Sequence, residues 1–428
     1  MGGEGNKPRV VIIGGGFGGI EAARALAKVP VEIVLIDREN HHTFQPLLYQ
    51  VATAALSPAD IAWPIRSMLR KQDNTRVLMA EVTAINPELR QVTASGHRID
   101  YDYLVLATGV THSYFGHDEW RKYAPGLKNL EDARDVRRRF LIAFERAELS
   151  DKPDERKRDL TFVIVGGGPT GVEMAGAMAE VARETLKKDF RNIDPAGARI
   201  ILIEAGPRLL PTFPENLSRY AQKSLEKMNV EIRLGAPVTQ CDDKGVTLDG
   251  GRIESATIIW AAGVAASAAG GAIGAEHDRM GRIKVKPDLS LADHPEIFAI
   301  GDIAAVNRAD GSPVPGIAPA AKQMGRYVGK VIAARASGRK APKPFVYRHA
   351  GDLATVGRKS AVVKIGKFQL TGFLGWLFWS VAHIYFLIGV RNRIVVALNW
   401  LWSYMTFQRG ARLIGLPPTE TTAASARN

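Results

Sequence analysis

Residues 10–23 read VVIIGGGFGGIEAA, and residues 162–175 read FVIVGGGPTGVEMA. Each stretch runs an apolar strand directly into Gly-x-Gly-x-x-Gly and on into a helical pattern. The glycines are Gly14, Gly16 and Gly19 in the first copy and Gly166, Gly168 and Gly171 in the second. The first glycine of such a set permits a tight strand-to-helix turn. The second lets backbone approach a pyrophosphate, and the third lets the helix pack closely on the strand. The helix N-terminus then offers free N–H groups and a positive dipole end to phosphate.

Each copy continues into a second apolar strand that ends in an acid. VEIVLIDRE reaches Asp37, and ARIILIEAG reaches Glu204 after a longer interval that contains KKDFRNIDPAG. An acid at this place accepts hydrogen bonds from ribose hydroxyls and repels a 2′-phosphate, so Glu204 favours NADH over NADPH. Arg208, four residues on, is a cation that works against that preference. Later in each copy a further strand ends in small residues, YLVLATG at 103–109 and TIIWAAG at 257–263, and IFAIGD at 297–302 ends in Asp302. A lone glycine motif is weak evidence for a ligand; two copies, each with strand, helix and terminal acid, are strong evidence. The expected fold is α/β, with two Rossmann-like dinucleotide-binding domains followed by a C-terminal membrane-associating helical region. The boundaries read as 1–115 and 291–345 for the first domain, 116–290 for the second, inserted in it, and 346–428 for the tail.

The chain has 428 residues and a net charge of +13, and its one cysteine, Cys241, excludes an internal disulfide and Cys-based metal motifs. Cys241 precedes the turn-like Asp242-Asp243-Lys244-Gly245 and reads as an ordinary thiol. The start of the chain lacks the apolar core of a secretory signal. No Asp or Glu occurs in residues 353–419, which hold Arg358, Lys359, Lys364, Lys367, Arg391, Arg393, Arg409 and Arg412. The basic excess therefore belongs to the tail. Joined to its Trp, Leu and Ile content, it suits an anionic membrane surface better than nucleic acid.

Two such units, the second inserted in the first and followed by Gly-Asp, resemble the two-dinucleotide-binding-domain flavoproteins. That resemblance covers residues 8–335 and implies FAD in the first unit and NADH or NADPH in the second. Many of those enzymes use a cysteine pair beside the flavin, yet RENHHTFQPLLYQVATAALSP, after Asp37, contains none. Electrons must then leave the flavin directly. FQPLLYQVA, GGGPTGVE, DFRNIDP, WAAGV, AIGD and PAAKQMG, in that order, are similar to the type II NADH:quinone oxidoreductases. That family resemblance implies a non-pumping dehydrogenase on the cytoplasmic face of the inner membrane, a homodimer, with a membrane quinone as acceptor. Other readings without a cysteine pair are a soluble ferredoxin or rubredoxin reductase, for which the tail has no use, and an NADH-sensing flavoprotein that docks by its tail.

The resemblance also implies site residues. FAD would lie against Gly14, Gly15, Gly16, Phe17, Gly18, Gly19, Asp37, Arg38, Val82, Ala107, Thr108, Gly109, Asp302 and Ala320. NADH would lie against Gly166, Gly168, Pro169, Thr170, Gly171, Glu173, Glu204, Ala262 and Gly263. Glu173, read as lying on the first turn of its helix, and Gln323 are the expected catalytic residues. Glu173 would stand between nucleotide and quinone, while Glu21, its counterpart in the first copy, would take no part in turnover. Gln323, Pro46 and Gln50 are the expected quinone contacts, with Tyr49 near the flavin. Pro319 would open a helix whose positive end faces the flavin. The adjacent His41 and His42 show no metal-ligand spacing and read as structural, so no metal is expected.

The tail poses its own question. Residues 368–390 carry no charge and are long enough to cross a ~30 Å bilayer core. The second uncharged run, 394–407, is too short to return, so a transmembrane hairpin is disfavoured. Asn392, Asn399, Ser403 and Thr406 fall on one helical face, with apolar residues and tryptophans around the rest. The expectation is a helix lying in the interface. A buried core or dimer helix, or a single span by the first run, are the alternatives.

Overall fold

The computed structural model describes residues 7–267, 271, 273–406 and 409–415. They form two compact units. One comprises residues up to 43, 62–113 and 263–350; the other comprises 44–61, 114–262 and the chain from 351 on. These limits differ from those drawn on the sequence. Residues 263–290 join the first unit because Val264–Ala266 pairs with Val110–His112 and Ile283–Lys284 pairs with Ala304–Ala305. Residues 44–61 and the chain from 351 on join the second, while 346–350 stay with the first.

The first unit is built on a five-stranded parallel sheet in the order Ile297–Ala299, Tyr103–Leu106, Arg9–Ile13, Glu32–Asp37, Thr75–Met79. The second is built on a four-stranded parallel sheet in the order Val230–Leu234, Arg199–Glu204, Thr161–Val165, Thr257–Trp260. In both, the strand that enters the glycine turn is central, with later strands added on either side of it. That reversal of strand order opens a crevice at the carboxyl ends, where doubly wound sheets take ligands. The central strands are continuous apolar runs because both sheet faces are covered. The duplication goes further than the motifs. Each unit inserts a three-stranded antiparallel meander, at Val82–Asn86, Gln91–Ala94 and His97–Asp100 and at Val238–Asp242, Gly245–Leu248 and Gly251–Glu254. Cys241 lies in the second meander, buried in the core, where burial pushes its thiol up to about 12. It is inert at neutral pH, as the sequence suggested.

In the first unit the glycine helix Phe17–Ala25 packs against Ala318–Ala336. Glycines bring the two helices close: a Cβ on Gly325 would lie 2.2 Å from the Gly18 carbonyl oxygen, and one on Gly329 would lie 2.5 Å from the Ala25 Cβ.

The tail begins with an antiparallel sheet of Asp352–Thr355, Ala361–Ile365 and Phe368–Thr371, which the sequence reading did not anticipate. Gly372, in the left-handed region at φ +63°, then turns the chain into the helix Gly372–Phe386. The uncharged run that looked long enough to span is thus split between a strand and a helix of 15 residues. At 1.5 Å per residue this helix reaches about 22 Å, short of a ~30 Å core. No helix among the described residues is long and apolar enough to cross a membrane. The last helix is Val390–Thr406.

Gly325→Ala should cost about 1–3 kcal/mol by forcing two helix backbones apart. Gly197→Ala, where a Cβ meets nothing within 4 Å, should stay within ~0.5 kcal/mol. Urea unfolding followed by circular dichroism measures both.

Candidate active site

The two glycine turns show which glycines the protein itself requires. A Cβ on Gly14 would lie 2.3 Å from the Ala107 carbonyl oxygen, and one on Gly19 1.8 Å from that of Gly14. In the second unit, Gly166 meets Ala261 at 2.6 Å and Gly171 meets the Gly166 oxygen at 1.8 Å. The middle glycines, Gly16 and Gly168, meet nothing within 4 Å. Nothing among the described residues forbids a side chain there. An open cradle at the N-terminus of each helix is the space that a pyrophosphate fills, so both turns fit a dinucleotide.

The acids at the strand ends brace these cradles. Asp37 accepts from the Gly15 N–H at 2.5 Å and the Glu39 N–H at 2.8 Å; Glu204 accepts from Gly167 at 2.6 Å and Gly206 at 2.7 Å. Arg208 donates to the carbonyls of Phe213 and Pro211, at 2.8 and 2.7 Å, which anchors its charge in the loop that follows. In the first unit His42 supports the turn from behind. Its Nδ1 is 2.9 Å from the Gly15 carbonyl and its ring meets Phe17 edge-on. Burial lowers its pKa to about 4, so it stays neutral at pH 7. Thr108 Oγ1 lies 2.6 Å from Ser267 Oγ, Ala107 donates its N–H to Ile13, and Gly109 and Gly263 both take positive φ. Asp302 opens a short turn beside Gly316, Val82 begins the first meander, Arg38 is exposed and Ala320 is buried near the start of its helix. That helix starts at Ala318, with Pro319 in its first turn. Gln323 is engaged: its Oε1 accepts from the Arg348 N–H at 2.9 Å and its Nε2 donates to the Arg348 carbonyl at 2.8 Å. One amide hydrogen remains for another partner.

Glu21 and Glu173 occupy the same motif position, two residues past the third glycine, in opposite surroundings. Glu21 is bonded to Arg326 at 2.6 Å and Arg24 at 3.3 Å. Glu173 has no salt bridge among the described residues; its one hydrogen bond among them is from the Thr355 N–H, at 3.4 Å. Burial pushes its carboxyl up to about 8, so it is largely protonated at neutral pH. Its helix is Pro169–Glu180, which makes Glu173 the fifth helical residue. It lies beyond the first turn on which the sequence reading placed it, so the helix dipole does little to keep it ionised.

Glu173 lines a cavity of about 90 Å³, enough for several waters. Tyr49, Gln50 and Thr53 form one wall, Glu173, Ala177 and Glu180 another, and Thr355, Gly357 and Arg358 a third. Trp376, Trp379, Trp400 and Tyr404, from the two tail helices, close it with Arg409. The turn at Gly357 is pressed onto the Glu173 helix, since a Cβ on Gly176 would lie 2.7 Å from the Gly357 nitrogen. The polar groups of the wall are tied together. Tyr49 Oη is 3.0 Å from Thr355 Oγ1 and accepts from Gln50 Nε2 at 3.0 Å, while Trp400 Nε1 donates to Gln50 Oε1 at 2.7 Å. Burial first, then the Glu173 carboxyl, raise the Tyr49 phenol above its ordinary value. Arg409 bonds Glu180 at 2.9 Å and the Thr53 carbonyl at 3.1 Å.

Of the expected quinone contacts, Gln50 lines this cavity and Pro46 is not among its walls. The structure adds the aromatic quartet, Thr355 and the Glu180–Arg409 pair, none of which the sequence reading assigned. Two signals were visible. Glu180 follows Glu173 by seven residues, which places both on one helix face, and tryptophan is concentrated in the tail. Among the described residues no group of acids, histidines or cysteines could hold a metal.

The outer side of the tail helices is apolar. Leu374, Val381 and Tyr385 on the first and Ile394, Leu398, Leu401, Trp402 and Met405 on the second are all more than half exposed. The polar stripe of the last helix is turned differently from the expectation. Asn392 is buried and donates to the Ala59 carbonyl at 3.4 Å, and Ser403 faces the cavity, while Asn399 is exposed. Asn392 and Ser403 thus lie inside the unit, and the exposed side is mostly apolar, with Asn399 among it.

Residues 8–325 match the Pyridine nucleotide-disulphide oxidoreductase family, and residues 349–409 match the NDH2 C-terminal domain. The fold and the paired cradles thus define a pyridine-nucleotide oxidoreductase. The chain is 47% identical to the type II NADH:quinone oxidoreductase NdhA of Mycobacterium tuberculosis, over 96% of this chain and 90% of that one. It is 46% identical to Ndh of the same organism, over 94% and 89%. In fold it is similar to the Plasmodium falciparum NDH2 solved in complex with NADH, with a TM-score of 0.86 at 21% identity, covering 96% of this chain and all of that one. The chain belongs to the type II NADH:quinone oxidoreductases.

A carboxyl whose folded pKa lies above its ordinary 4.5 binds more protons folded than unfolded between about pH 4.5 and 8. Its contribution to stability therefore falls as pH rises through that window. Glu173→Gln should flatten this slope, matching the parent near pH 4.5 and exceeding it at pH 9 by on the order of 4–5 kcal/mol. Urea melts across that range check it.

Proposed function

We infer that the chain oxidises NADH and reduces a membrane quinone without pumping protons, working at the surface of the bilayer. The single observation that carries this reading is the cavity, in which a protonated carboxyl, Glu173, is enclosed by tryptophans from the same helices that turn an apolar face outward. The first cradle, with Asp37, Asp302 and the Ala318–Ala336 helix, suits FAD, and the second, with Glu204, suits NADH. A flavin supplies the step that no side chain here can, accepting a hydride and passing on two electrons.

The chain's own residues supply position and protons. Glu204, fixed by two backbone N–H groups, meets the ribose hydroxyls and rejects a 2′-phosphate, and Arg208 is held on carbonyls and does not neutralise it. Glu173 holds a proton at neutral pH in the wall of the cavity, where it can be given to a quinone oxygen and regained. Tyr49 and Thr355 fix the wall opposite. Gln50 serves as a strut between Tyr49 and Trp400, and Gln323 offers its remaining N–H. The exposed Leu, Val, Ile and Trp side chains would sink into the headgroup region, with Lys367 and Arg391 exposed beside them to meet anionic lipid. A homodimer is part of the same proposal.

Steady-state NADH oxidation by the purified protein with ubiquinone-1, and flotation with anionic vesicles, test the reading. Quinone-dependent turnover and co-flotation are expected; NADH oxidation that no quinone supports would refute it, and dimers that stay in the aqueous fraction would give the apolar face to a second copy. Glu204→Ala should raise the NADH KM about tenfold and narrow the preference over NADPH by at least as much. An unchanged preference would remove Glu204 from this role.

A further inference from the structure

Hydroxyls on the helices around the cavity turn back on their own backbone, with one exception. Ser380 Oγ donates to the Trp376 carbonyl at 2.8 Å, Thr406 Oγ1 to that of Trp402 at 2.8 Å, and Thr53 Oγ1 to that of Tyr49 at 2.9 Å. Each makes the familiar helical bond to the carbonyl four residues earlier. Ser403 does not. Its Oγ has no hydrogen-bond partner among the described residues, yet protein does not enclose it: the residue is half-buried and the oxygen keeps accessible surface.

The helix decides where that surface faces. Asn392 and Val396 are 1% and 0% exposed, and Ser403 follows them by eleven and seven residues, close to three and two full turns. It therefore lies on the inner face of the helix, while Leu401, Trp402 and Met405 are more than half exposed on the outer one. Inward of Ser403 is the cavity, whose wall it forms with Trp400, Tyr404 and Glu173. Polar neighbours have spent their capacity on each other: the Gln50 amide on Trp400 and Tyr49, the Arg409 guanidinium on Glu180 and Thr53. Ser403 keeps one hydrogen and two lone pairs to offer. That capacity, among aromatic rings and beside an acid, suits a flat ring whose oxygen accepts a hydrogen bond before reduction and can donate one after it.

We propose that Ser403 is a substrate-binding residue whose hydroxyl donates to a carbonyl oxygen of the quinone and, after reduction, accepts from the hydroxyl that replaces it. The proposal rests on the quinone-reducing function inferred above and names one contact of that site. Reduction adds two electrons, drawn from NADH, and two protons to the ring. Ser403 keeps its own hydrogen throughout and only rotates about its Cβ–Oγ bond. Its contribution is to binding, and proton supply stays with Glu173.

The test varies ubiquinone-1 as acceptor, with ferricyanide, which needs no quinone site, as the control. Ser403→Ala removes the hydroxyl and spares the helix, since alanine is the better helix former. The apparent KM for ubiquinone-1 should rise about threefold to tenfold, the effect of one neutral hydrogen bond. The NADH KM and the ferricyanide rate should stay within about twofold. Ser403→Thr and Ser403→Val separate the hydroxyl from the shape of the cavity, because the two side chains share an outline and only threonine keeps the oxygen. The threonine variant should have the lower ubiquinone-1 KM of the two, by a similar factor. An unchanged KM in the alanine variant, or equal KM values for the threonine and valine variants, would overturn the proposal and leave the hydroxyl to water. Absence of quinone turnover in the parent would instead remove the underlying function.

Discussion

The structure depends first on carbonyl oxygens that stand where a side chain would have to be. The oxygens of Gly14 and Gly166 each lie 1.8 Å from the position of a Cβ on the third glycine of its motif. That approach seats each helix on its strand and aims its free N–H groups at the crevice. It also sets where every later residue of the helix falls. Glu21 and Glu173 are consequently delivered to equivalent places by equivalent backbone. What separates them is the company that the rest of the chain brings: two arginines for Glu21, and aromatic rings with a single weak backbone donor for Glu173.

That difference turns one motif position into two chemistries. A carboxylate held by guanidinium groups is a structural tie. An isolated carboxyl in a cavity holds its proton near neutral pH, because burial penalises the charge and no cation compensates. Seven residues along the same helix, Glu180 is tied to Arg409, which leaves Glu173 as the wall carboxyl without a cation among the described residues. The tail matters in both respects. It contributes Arg409 to one acid and the tryptophans to the other, and its exposed side is apolar. The same two helices thus enclose a cavity and present a surface suited to lipid.

The cradles were legible in the sequence because glycine has a strict steric meaning there and because the pattern occurs twice. Asp37 and Glu204 could be read as the acids that end the second apolar strands, the first also by its spacing, but their bonds to Gly15 and Gly167 could not. The two meanders escaped notice because short alternating strands leave a weak signal between stronger ones. In the tail, lack of charge over 368–390 suggested length, but Gly372 breaks the run, and a change of backbone direction at one glycine is not visible in hydropathy. The polar residues of the last helix share one face by spacing, yet Asn392 is buried against the Ala59 carbonyl, Ser403 lines the cavity and Asn399 is exposed. Glu173 was singled out by family resemblance, but its surroundings come from segments far off in the chain, Tyr49 and Gln50 before it and Thr355 after it, and only the folded chain brings them together.

The role of the cavity turns on Glu173 being a neutral carboxylic acid at physiological pH. Infrared difference spectroscopy on the intact protein, parent minus Glu173→Gln, reads this directly across a pH series. A protonated carboxyl C=O band at pH 7 should give way to carboxylate with a midpoint near pH 8. A Glu173 signal already in the carboxylate form at pH 6 would contradict it.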